Sequence, residues 1–265
     1  VSVGGLALGG LAAWAYFQYA QWEMAVAGFL FMIGWHVLDG ADGQLARLTG
    51  KTSEIGKALD GLVDHVSFAM VYVALTLATA QVLGSWVWWL AVAAGLSHLI
   101  QATSYEFQRH SYEYWVLGKK SARPMPPEEY RPTMQGKQGA SLFFAQVQLA
   151  YFTMQYRLAG VDRNLIARLV ALKEAGRAAD ASEAYRSVNR GAVKSWSALS
   201  SNYRTLAIFV AALAGNPLYF FLFEIVGLNA ALLVLRLMQA RCNRVLLAHL
   251  TDCTDLATAD ALTAT

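Results

Sequence analysis

The chain has 265 residues, of which 56% are hydrophobic and only 15% charged, against about 25% charged in an average soluble protein. That composition excludes a soluble globular domain and points to an integral membrane protein. The formal net charge of +3 is too small to argue for a nucleic-acid partner, because the loops of membrane proteins carry such a bias on their own.

Apolar runs of roughly membrane-spanning length occur at residues 3–20, 24–38, 58–82, 86–105, 206–223 and 228–247, so the pattern predicts six transmembrane helices in an all-α fold. Trp86, Trp88 and Trp89 cluster at the start of the fourth run, where aromatic anchors meet the membrane interface. Residues 106–203 differ in character. Pro124, Pro126, Pro127 and Pro132 precede Gly136 and Gly139, and residues 140–156 are apolar but interrupted by Gln146, Gln148 and Gln155. An amphipathic surface helix and a further span both fit that stretch. Charged and apolar residues then alternate at helical spacing over 161–199, which predicts a helical hairpin. The expected organisation is four helices in residues 1–105, a cytoplasmic or interfacial insertion over 106–203, two helices in 204–250 and a tail from 251 to 265. The chain opens on Val1 with no cleavable signal sequence, as expected of a sequence lacking its natural start. Cys242 and Cys253 have no metal-ligand spacing around them and suggest no disulfide framework.

Lysine and arginine collect in three places: Arg47, Lys51 and Lys57; residues 109–204; and Arg241 with Arg244. The positive-inside rule makes these segments cytoplasmic. Both termini then lie inside, and short loops near Gln21, Gln81 and Glu224 lie outside.

The richest stretch reads Asp39-x2-Asp42-Gly43-x2-Ala46-Arg47-x8-Gly56-x3-Asp60-x3-Asp64. An Asp at the centre of a membrane helix costs about 2.5 to 3.5 kcal/mol, so four beside apolar runs require a compensating partner. Asp39 and Asp42 are three apart and Asp60 and Asp64 four apart, which puts each pair on one helix face. Two such faces turned together make an oxygen-rich site suited to Mg2+ or Mn2+, and magnesium commonly reaches substrate phosphates from such sites. Gly43, Ala46 and Gly56 remove side chains where a ligand would approach the backbone. Ser53 can cap the third helix and leave amides for a phosphate, and Arg47 offers a bidentate fork. Any one of these aspartates alone reads as a solvated helix flank. All eight defined positions together would arise by chance on the order of once in 10^10 starts.

This pattern resembles the signature of the CDP-alcohol phosphotransferases, and every signature position is met. The resemblance implies six helices with the motif across the second and third. It implies that Asp39, Asp42 and Asp60 bind metal and that Asp64 shares a metal and acts as general base. It also implies that Gly43, Ala46, Arg47, Ser53 and Gly56 line the site for the CDP part of the donor. One or two divalent ions, Mg2+ or Mn2+, would serve as cofactor, and a homodimer in the lipid bilayer would be the assembly. The family's Asn and Thr at the start of the first helix have no counterpart near Val1. On this reading the protein transfers a phosphatidyl group from CDP-diacylglycerol to a small polar alcohol and releases CMP. In the reverse donor polarity a soluble CDP-alcohol supplies its head group to a lipid hydroxyl such as that of diacylglycerol. The expected setting is a bacterial or archaeal inner membrane, with the active site facing the cytoplasm. Intramembrane prenyl transfer also uses aspartates and magnesium, but its Asn-Asp-x-x-Asp motif is not evident; a non-catalytic cation-binding membrane protein is the remaining alternative.

Arg236 inside the sixth run is expensive to leave unpaired and is a candidate for an acceptor pocket, together with Arg109 and His36. Gln101, Tyr105 and Glu106 recur at helical spacing with Arg109, which fits that pocket or surface anchoring. His65 and His98 read more simply as hydrogen-bonded structure, and Tyr112, Tyr114 and Trp115 as an interface belt.

Overall fold

The computed structural model describes the backbone of residues 2–49 and 54–263 and the side chains of residues 4–41, 44–45 and 63–251. Among the described residues all regular structure is helical. The main elements are α1 (Ser2–Phe17), α2 (Trp22–Thr49), α3 (Glu54–Leu83), α4 (Val87–Trp115), the short α5 (Pro127–Tyr130), α6 (Ala140–Leu158), α7 (Arg163–Glu174), α8 (Ala178–Trp196), α9 (Ser201–Leu213), α10 (Leu218–Leu222) and α11 (Leu228–Thr263). The chain divides into two compact units. The first comprises Val1–Leu99, Gly139–Phe144 and Ser201–Asn229; the second comprises Ile100–Gln138, Ala145–Ser200 and Ala230–Thr265.

Trp22–Ala41, Val63–Leu83 and Leu218–Thr251 are long and apolar enough to cross a membrane, and Gly4–Phe17 is a shorter apolar helix. Five of the six expected runs overlap these four stretches in part, while residues 86–105 lie in α4, which is outside the set.

In the first unit α1 lies against both α2 and α3. Small residues permit the approach: a Cβ added at Gly9 would stand 2.8 Å from Ser67 Oγ and 2.9 Å from its Cβ. A Cβ at Gly28 would meet the Tyr16 ring at 3.0 Å. Such small-residue contacts let helices pack where lipid supplies no hydrophobic drive between them. α2 also packs on α9, with Phe29 and Phe209 stacked at 4.3 Å between centroids. Met32, Trp35, Phe68, Leu75, Ile208, Phe220 and Phe221 fill the interior.

The chain break in the last part of this unit falls elsewhere than expected. It comes at 214–217, where Gly215 takes φ of +68° and Asn216 Oδ1 accepts the Leu218 N–H at 3.1 Å. Pro217 has no N–H to extend α9. Glu224, expected in an outside loop, is instead fully buried in a wide π turn, Phe223–Gly227, that joins α10 to α11. Arg204 neutralises it, with Nε 3.1 Å from Oε1, so the carboxylate has no need to reach water.

In the second unit α7 and α8 form the expected hairpin around Gly176, whose φ is +78°. Asp162 caps α7 by accepting from the amides of Asn164 and Leu165. Leu165, Leu169, Leu172 and Tyr185 pack there with Leu246 and Leu250 of α11. Between α8 and α11, Trp196 Nε1 donates to Gln239 Oε1 at 3.1 Å, and Gln239 Nε2 donates to Asn189 Oδ1 at 2.8 Å. Of the polar interruptions of α6, Gln146 is exposed and Gln155 is buried: Gln155 donates to Tyr151 Oη at 2.8 Å, and Tyr151 donates to Glu106. Burial, with Glu106 beside it, pushes the Tyr151 hydroxyl above its usual range, so it stays a donor.

Candidate active site

α2 carries Asp39, Asp42, Gly43, Ala46 and Arg47, and α3 carries Gly56, Asp60 and Asp64. Both aspartate pairs are therefore spaced along continuous helix, three and four residues apart, which sets each pair on one face. Asp39 stands within the apolar stretch Trp22–Ala41, and Asp64 at the start of Val63–Leu83. Both are half-buried. The side chains of Asp42, Gly43, Ala46, Arg47, Gly56 and Asp60, and the whole of Ser53, lie outside the described residues. No group of three potential metal ligands occurs among the described residues. The donor chemistry of Asp39 and Asp64, carboxylate oxygen in half-buried positions on apolar helices, fits a hard divalent cation.

One turn before Asp39, His36 Nε2 is 2.9 Å from Thr205 Oγ1 of α9. Beside Asp64, the His65 ring lies 6.4 Å from that of His98, whose Nδ1 is 3.0 Å from Tyr72 Oη. The Tyr72 hydroxyl also hydrogen-bonds Glu224, the partner of Arg204. His36 and His98 are thus hydrogen-bonded structure in the first unit. Sequence reasoning did not single out Tyr72, Arg204 or Thr205 and misplaced Glu224. The available signal was one acidic and one basic residue bordering apolar runs twenty residues apart.

Arg109 and Arg236 belong to the second unit. Arg109 is exposed, with its guanidinium 5.9 Å from the Tyr105 ring centroid. Glu106 is engaged by Tyr151, and Gln101 is fully buried. Arg236 is the outlier: its Nε and Nη2 are buried and have no hydrogen-bond partner among the described residues. A guanidinium left so inside an apolar helix is costly unless an anion meets it.

No curated protein and no solved structure matches the chain. A family model described as CDP-alcohol phosphatidyltransferase matches residues 1–161, more than half of the chain and the whole of the aspartate motif. With the motif on α2 and α3 and three helices apolar enough to span a bilayer, the chain belongs to the CDP-alcohol phosphatidyltransferase family, as an integral membrane enzyme that transfers substituted phosphate groups.

Proposed function

We propose that the protein transfers the phosphatidyl group of CDP-diacylglycerol to the hydroxyl of a small polar alcohol and releases CMP, at a site facing the cytoplasm. The observation that carries this reading is the placement of Asp39 and Asp64, half-buried, on two apolar helices that bear the complete motif.

In this mechanism Asp39, Asp42, Asp60 and Asp64 would hold one or two divalent cations, Mg2+ or Mn2+, which would supply charge neutralisation of the diphosphate and of the departing CMP. Gly43, Ala46, Arg47, Ser53 and Gly56 would line the site for the CDP moiety, with the Arg47 fork suited to its phosphates. The Asp64 carboxylate accepts the proton of the acceptor hydroxyl. That oxygen forms a bond to the phosphorus bearing the diacylglycerol, the bond from this phosphorus to the bridging oxygen breaks, and CMP departs with the electron pair. Arg236, whose buried nitrogens lack a partner among the described residues, offers its guanidinium to an anionic group of the acceptor. The working assembly is a homodimer in the bilayer.

The test is CMP release by the purified protein with Mg2+ or Mn2+, offering CDP-diacylglycerol and a panel of polar alcohols. Release that depends on one alcohol supports the reading, and Asp64→Asn lowers it by a factor of about 100 or more, at the base-catalysis end of such effects. Activity only with a soluble CDP-alcohol and a lipid hydroxyl reverses the donor assignment. Full turnover by Asp64→Asn removes the base.

A further inference from the structure

The first unit contains a buried polar chain that the motif does not include. Arg204 and Glu224 have side-chain exposures of 1% and 0%, and pair at 3.1 Å. Tyr72 hydrogen-bonds Glu224 and lies 3.0 Å from His98 Nδ1. A carboxylate only accepts, so the Tyr72 hydroxyl donates to Glu224 and takes the His98 Nδ1–H in turn. The links therefore converge on Glu224, from His98 through Tyr72 on one side and from Arg204 Nε–H on the other. Such links polarise one another in a low-dielectric interior. Phe68 and Phe220 pack edge-on against His98 and Tyr72 and exclude competing partners.

Both ends of this chain reach the motif. His98 lies beside His65, the neighbour of Asp64. Thr205, next to Arg204, meets His36, three residues before Asp39. Glu224 itself sits in the π turn Phe223–Gly227, a helix irregularity that occurs frequently at functional sites. A buried ion pair is poor value for stability, since well-packed apolar residues often do as well. What a pair of this kind does supply is a fixed distance and direction between helices.

We infer that the Arg204–Glu224 pair is a positioning device for the two outer motif carboxylates, setting α2 at Asp39 through Thr205 and His36, and α3 at Asp64 through Tyr72, His98 and His65. This rests on the reading that those carboxylates hold a catalytic cation. Arg204 and Glu224 are positioning residues and touch no substrate.

The experiment uses the full chain in detergent micelles and the paired replacement Arg204→Met with Glu224→Leu, which removes both charges together so that neither ion is left buried alone. Thr205→Val, Thr205→Ser and Tyr72→Phe accompany it. Two quantities are read: the thermal shift caused by Mn2+ alone, and kcat and KM for CMP release. The expected result is a paired variant that unfolds at the wild-type temperature without metal, needs at least tenfold more Mn2+ for half its shift, and loses at least tenfold in kcat with acceptor KM unchanged. Thr205→Val and Tyr72→Phe show smaller losses of the same kind, and Thr205→Ser restores the wild-type values. A paired variant with wild-type manganese response and kcat overturns the inference, as does one whose losses match its loss of folded protein. A wild type without a manganese shift overturns it as well. If the wild type shifts with manganese yet releases no CMP, the proposed reaction fails while the positioning role is still read from the metal response.

Discussion

Arg236 separates two demands that usually coincide at a single residue. Its Nε and Nη2 are buried without a partner among the described residues, and an unmade hydrogen bond at a buried donor costs about 1 to 3 kcal/mol. Stability therefore argues against the residue, and ligand binding for it. Arg236→Met should raise the unfolding free energy of the detergent-solubilised protein by about 1 kcal/mol, because the orphaned donors disappear while a flexible apolar chain fills their space. The same variant should raise the KM for an anionic acceptor by roughly 10- to 100-fold, the equivalent of one charge-assisted hydrogen bond, and leave the KM for CDP-diacylglycerol unchanged. A drop in stability without a change in acceptor KM would make Arg236 structural. The intramembrane cost of this arginine was legible in the sequence. The Arg204–Glu224 pair was not, since nothing in a linear pattern tells a buried carboxylate with a partner twenty residues away from a loop acid.

At the level of elements, the helices bearing the motif were readable because helical spacing and apolar length act over many residues at once. Boundaries were less so: the break at Asn216–Pro217 needs only local backbone chemistry, and the charge of Glu224 drew the expected loop several residues too far along. Close packing of α1 was also hidden, because a glycine in an apolar run does not show what it faces. Gly9 and Gly10 make this testable. A Cβ at Gly9 would press on Ser67, whereas Gly10 has nothing within 4 Å. Gly9→Leu should destabilise the protein by about 1 to 3 kcal/mol through overpacking, read as a lower unfolding temperature in detergent. Gly10→Leu should stay close to wild type. Because α1 lies on both α2 and α3, Gly9→Leu should also weaken the manganese response more than Gly10→Leu does. Equal effects of the two substitutions would show that the α1 contact at Ser67 does not carry the packing.

For the whole molecule, the proposed orientation follows from charge. Arg47, Lys51 and Lys57 lie between the apolar runs of α2 and α3, and Arg109, Lys119, Lys120 and Arg123 follow that of α4 closely, whereas the turn at Gln21 and the end of α3 near Gln81 carry no lysine or arginine. Moving short basic loops across a bilayer is disfavoured during insertion, and this asymmetry sets the overall topology. Gln21 and Gln135 are both exposed and report on opposite faces in this arrangement. With Cys242 and Cys253 replaced by serine, Gln21→Cys should react with a membrane-impermeant maleimide in sealed vesicles of native orientation. Gln135→Cys should be protected there and react only after permeabilisation. The opposite pattern would turn the molecule over, and with it the side of the membrane on which Asp39 and Asp64 meet their substrates. Labelling at both sites in sealed vesicles would instead put Gln21 and Gln135 on one face, the outcome expected if the apolar helices Trp22–Ala41 and Val63–Leu83 both cross and return the chain to its starting side while α4 does not cross.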